Sequence, residues 1–73
     1  MENTYKNYLE DCLEQLIDRS IEARKKSNST KDAFDKGHSL AYYEVVQFLL
    51  SQAEVFEIKK ELKEKIKTFN PSL

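Results

Sequence analysis

Nothing between residue 1 and residue 70 obliges the backbone to leave a helix. The chain has one proline, Pro71, and one glycine, Gly37. Sheets need turns, and tight turns lean on Gly, Pro and Asn, so a chain this poor in breakers is expected to run in long helices. Its apolar residues fall three and four apart, the helical period. Charged residues at 34% fit the solvated faces of such helices.

Length sets the second constraint. Seventy-three residues make one domain at most, spanning 1–73. A domain of this size buries only about 60% of the surface its unfolded chain exposes. Disulfides, metals or oligomerisation commonly supply the rest. Cys12 is the only cysteine, so no disulfide can close within the chain. No Cys/His cluster suggests a structural zinc, and no cofactor is expected. Pairing with a second copy is the remaining common route.

Three helices are expected, over residues 4–27, 30–56 and 58–69. In the first, Leu9, Cys12, Leu13, Leu16, Ile17, Ser20, Ile21 and Ala23 form the apolar face. Glu10, Glu14, Asp18 and Glu22 fall largely on the other side as like-charge i,i+4 neighbours, mildly unfavourable by themselves. The run SNSTKD, residues 27–32, reads as a loop, since Ser, Asn and Thr bond to nearby backbone. Ser29 or Thr30 is expected to cap the second helix. A short loop between long helices makes them antiparallel neighbours. The fold class is therefore all-α: a helical hairpin with a short C-terminal helix, dimerising into a four-helix bundle.

The second helix drives the dimer expectation. Phe34, His38, Ala41, Val45, Phe48, Gln52 and Val55 share one face, read here as the hairpin seam. Leu40, Tyr43 and Leu50 lie on the far side, and with Val46 they form the expected interface with another chain. A helix apolar on every side is normally buried on every side, and a hairpin covers one side only, so the other needs the third segment or another chain. Gly37 and Ala41, four apart, offer a flat strip for close helix packing, which would compensate the cost of about 1 kcal/mol for glycine inside a helix. Gln52 resembles the single polar residue that fixes register.

The candidate polar site is His38 with Tyr42 and Glu44. Catalysis would need a second group poised against the imidazole, and a metal would need three or four ligands. No spacing in the chain assembles either set. The ordinary structural reading is a partly buried His38 bonded to a first-helix side chain or a tyrosine hydroxyl. Cys12 reads as a small hydrophobe in the first helix rather than a nucleophile. No catalytic, cofactor or metal residue is assigned.

Net charge is −1, which argues against a general nucleic-acid binder. Residues 31–57 carry −3 and residues 58–73 carry +3, so the basic tail is expected to pair with the acidic middle of this chain or a neighbour. The opening run MENTYKNY has no apolar core of a signal peptide, and no apolar run spans a bilayer. A cytoplasmic address is expected, without membrane contact.

Within FDKGHSLAYYEVVQFLLSQAEVFEI, the residues Phe34, Gly37, Ala41, Tyr42, Tyr43, Glu44 and Val45, followed by Gln52, Ala53, Phe56 and Ile58, form a pattern. It resembles that of short bacterial proteins reading F-x-x-G-x-x-x-A-Y-Y-E-V with a Q-A-x-x-F-G-I-like end. About a third of the chain follows it well. The resemblance implies a helical hairpin and no activity. Glu57 stands where that pattern tends to have Gly, which would end a helix in a left-handed cap. A break between the second and third helices is therefore left open. The expected function is a non-enzymatic protein–protein interaction or regulatory module. An antitoxin-like nucleic-acid regulator is the alternative, and an enzyme or metal site around His38 a further one.

Overall fold

The structure, a computed structural model, describes residues 3–70. The stop expected at Pro71 lies outside the described residues. Among the described residues every regular element is helical: α1 (Asn3–Thr30), α2 (Ala33–Val55), a 3-10 turn (Lys59–Glu61) and α3 (Glu64–Lys67). At 1.5 Å per residue, α1 and α2 are roughly 42 and 35 Å long. The molecule measures 42 × 20 × 16 Å, so the two helices must lie side by side as a hairpin.

The connection is tighter than the sequence suggests, because α1 runs through the Ser/Asn/Thr segment to Thr30. The chain leaves α1 through Lys31 in the left-handed region (φ 55), whose N–H donates to the Ser27 carbonyl at 2.9 Å. That single bond is the left-handed helix cap, here without glycine. Asp32, not Ser29 or Thr30, caps α2: its carboxylate accepts from the Phe34 N–H at 3.3 Å. Thr30 acts as a relay. Its hydroxyl accepts the Asp32 N–H at 3.3 Å and donates to Asp35 Oδ2 at 2.7 Å. Asp35 is buried in the first turn of α2, where negative charge suits the helix dipole, and Lys26 Nζ stands 3.9 Å from its other oxygen.

The cap and the core lie on one side of α2. With Asp35 turned toward the turn and α1, residues 11, 15 and 18 positions further on face the same way. Those are Val46, Leu50 and Ala53, and all three are buried against Leu13 and Ile17 of α1. The face expected to form the hairpin seam, from Phe34 to Val55, therefore points to solvent. Val46 and Leu50, expected at an interface with another chain, are 0% and 5% exposed inside this one. Both faces of α2 are apolar, so hydrophobic pattern alone could not choose between them. The face buried is the one that Leu62 and Ile66 share with Leu13 and Ile17, and Asp35 lies on the same side.

The break after α2 is real. Glu57 has φ 59. Its N–H donates to the Glu54 carbonyl at 3.0 Å, and the Ile58 N–H to the Ala53 carbonyl at 2.9 Å. This is the Schellman bond pair. A left-handed non-glycine residue costs roughly 1–2 kcal/mol. The two bonds and the packing of Ile58 against the core offset that cost.

The single helix expected over 58–69 is not formed. Leu62 and Lys63 are extended (ψ 162 and 150), separating the 3-10 turn from the one-turn α3. The extension serves two contacts. It lets both Leu62 and Ile66 enter the core, and it points the Lys63 N–H at the buried carboxylate of Glu10, 2.9 Å away. That N–H has no partner within α3, so a side chain must supply one.

The acidic face of α1 is answered by this same segment. Lys63 Nζ lies 2.9 Å from Glu14 and Lys65 Nζ 3.1 Å from Asp18. The hydrogen bond from its ammonium to Glu14 holds the Lys63 pKa above the ordinary lysine value, with the Glu14 charge adding to it and desolvation opposing. Among the described residues of the tail, Lys59, 3.0 Å from Glu54, pairs with the acidic middle of the chain. The basic tail thus binds mainly α1, and it offsets the Glu10–Glu14–Asp18 repulsion.

Candidate functional site

The C-terminal segment covers one side of the hairpin. The other side is open. Stepping 100° per residue, Leu9, Cys12 and Leu16 of α1 fall on the side of the core away from Glu14 and Asp18. These three are half-buried, as are Tyr42 and Leu49 at the corresponding edge of α2. Beyond them, α2 presents a line of exposed residues: Phe34, His38, Ala41, Val45, Phe48, Gln52 and Val55.

Their spacings alternate four and three along the whole helix. A 4–3 alternation averages 3.5 residues, the repeat of a coiled-coil seam, in which each side chain enters a hole on a facing helix. Phe34 is 75% exposed, Phe48 61% and Val55 70%, with Phe56 exposed beside the end of the line. With a full aromatic side chain near 200 Å², the large residues of this stripe leave roughly 500 Å² of apolar surface uncovered. Scattered exposed hydrophobes are ordinary; here they are gathered along one face of one helix.

His38 sits within the stripe, exposed rather than partly buried. Its ring centroid is 6.3 Å from Phe34 and 5.1 Å from Tyr42, so three rings follow one another, tilted, along one helix edge. The expected contact with a first-helix side chain is replaced by contacts within α2. Glu44 is exposed. Among the described residues no three His, Cys, Asp or Glu side chains are grouped to hold a metal. Cys12 is a half-buried free thiol on the open side.

The close-packing strip is not used within the chain. Nothing lies within 4 Å of where a Cβ on Gly37 would stand, and Ala41 is exposed. Both border or belong to the open stripe. Of the four residues expected at an interface, Leu40 is exposed and Tyr43 half-buried, and neither lies on the stripe, while Val46 and Leu50 belong to the core. The residues of the open stripe share one face in the sequence, as expected, but the structure turns that face to solvent rather than into the hairpin seam.

The fold and surface define a two-helix hairpin clasped on one side by its C-terminal segment and apolar on the other. No family model, curated protein or solved structure matches the chain. No helix among the described residues is long and apolar enough to cross a membrane.

Proposed function

We propose that this chain is a non-enzymatic helical interaction module that pairs with a second copy through the open stripe of α2. The observation that carries the reading is the unbroken 4–3 line from Phe34 to Val55, exposed along its length. Two copies contributing roughly 500 Å² each reach the ~1,000 Å² that a specific interface needs. A second copy is the favoured occupant because the seam spacing is that of helices which meet their own kind, and α2 supplies it on a straight, well-capped rod. Pairing α2 with α2 places the second helices at the centre of a four-helix assembly, with α1 and the C-terminal clasp outside. Gly37 and Ala41 then let the facing helix approach closely. Gln52, in the seam, sets the register.

Sedimentation equilibrium tests this. The wild-type chain is expected to reach twice its monomer mass with rising concentration. Phe48→Glu places a charge in the seam while touching nothing in the core, so it is expected to stay monomeric with unchanged helical circular dichroism. A wild-type chain that remains monomeric at high micromolar concentration removes the proposal.

A further inference from the structure

A groove of about 900 Å³ opens on the opposite side of α2, between the end of α1, the start of α2 and the end of the C-terminal segment. Ile21, Leu40, Tyr43 and Phe69 give it an apolar, partly aromatic lining. Arg24, Lys25 and Lys36 stand around these residues, and no carboxylate lines the groove among the described residues. The chain as a whole is slightly acidic, so the groove runs against its average. Lys25 has one weak tie, to Glu22 at 3.9 Å between two largely exposed side chains. Arg24 and Lys36 make no ion pair among the described residues. They come from different helices, and the two carboxylates nearest in sequence to Lys36 are engaged: Asp35 with Thr30 and Lys26, Asp32 with the Phe34 N–H.

We infer that this groove binds a small aromatic phosphate monoester, its ring on Tyr43 and Phe69 and its phosphate between Arg24 and Lys36. The volume lies within the ~300–1,000 Å³ usual for small-ligand sites. Three like charges around one opening repel each other, and an anion relieves that repulsion. A phosphate monoester carries about −1.5 to −2 at neutral pH and three acceptor oxygens, enough to engage cations from two helices, where a carboxylate brings one charge. Arginine adds the planar fork that matches phosphate oxygens in pairs. The apolar lining needs a ring or similar body, so inorganic phosphate satisfies only half of the site.

The test is a nuclear magnetic resonance titration of the full, isotope-labelled chain with 1-naphthyl phosphate, 1-naphthol and inorganic phosphate. Naphthyl phosphate is expected to shift the amide signals of Arg24, Lys36, Leu40, Tyr43 and Phe69, and raised salt to weaken it. Naphthol, and the Arg24→Glu and Lys36→Glu variants, are expected to bind about tenfold more weakly, the scale of one charge-assisted hydrogen bond. Phe48→Glu lies on the far side of α2 and is expected to leave binding unchanged, so this result stands apart from the pairing proposal. Four outcomes overturn the inference: no shifts at millimolar ligand, shifts centred on Val45 and Phe48, naphthol binding as tightly as its phosphate, or inorganic phosphate binding as tightly as the ester.

Discussion

The two sides of the hairpin are built from the same kinds of residue and are treated in opposite ways. On one side, Leu62 and Ile66 of the C-terminal segment close over Leu13, Ile17, Leu50 and Ala53. Three polar ties, from the Lys63 N–H, Lys63 Nζ and Lys65 Nζ, hold the segment against the acidic row of α1. On the other side, the stripe of α2 is left exposed, with no segment over it among the described residues. The difference teaches that in so short a chain the placing of charge decides which apolar face is closed internally. The acidic row of α1 holds the basic tail to its side and leaves the stripe of α2 exposed.

The largest effect expected from this contrast is at Ile66, which is 0% exposed in a helix of a single turn. Ile66→Ala removes buried methylenes and is expected to cost about 2–4 kcal/mol in urea unfolding, against the ~5–15 kcal/mol that small domains have in total. Phe48→Ala, on the open side, is expected to change monomer stability by under about 0.5 kcal/mol. Equal costs at the two positions would break the comparison. Next comes Glu10→Ala, which orphans the Lys63 N–H and is expected to cost about 2 kcal/mol, whereas Glu10→Gln keeps an acceptor and is expected to cost under about 1 kcal/mol.

Thr30→Val cuts the relay between Asp32 and Asp35 and is expected to cost about 1 kcal/mol, as loss of a helix cap does. Gly37→Ala is expected to go the other way. Its backbone is helical with no positive φ, and the added methyl meets nothing within 4 Å, so the monomer should gain about 1 kcal/mol. If the methyl also weakens dimerisation, the strip is a close-packing site between copies. Smallest is the pH effect at Lys63. Its pKa is raised on folding, so its contribution is fully present below the ordinary lysine pKa and fades as pH rises through the higher folded value. Unfolding measured across the alkaline range should show Lys63→Met losing part of the wild-type slope there and matching it near neutrality.

The helices, the hairpin and the crowding of apolar residues on α2 were legible because they depend on periodicity and on the lack of breakers. The rotation of α2 was not, since Phe34–Val55 and Val46–Ala53 are both plausible inner faces by hydrophobicity. The structure buries the second of these, with Leu62 and Ile66 against it and Asp35 on the same side, an arrangement that appears only when the chain is closed. The bend at Glu57 was legible as a question, raised by a position suited to glycine and occupied by Glu. The extended step at Leu62 and Lys63 had no sequence signal, because it answers a carboxylate more than 50 positions away, at Glu10.

Adjacent residues of α2 give the most direct test of the central claim. In a Cys12→Ser background, V45C and V46C place one thiol on the open stripe and one in the core, at sites 47% and 0% exposed. Thiol labelling rates are then read across protein concentration. V46C should be protected at every concentration, while V45C should label fast when dilute and become protected as copies pair. A V45C thiol that reacts equally fast at all concentrations, or a V46C thiol that reacts faster than it, contradicts the account.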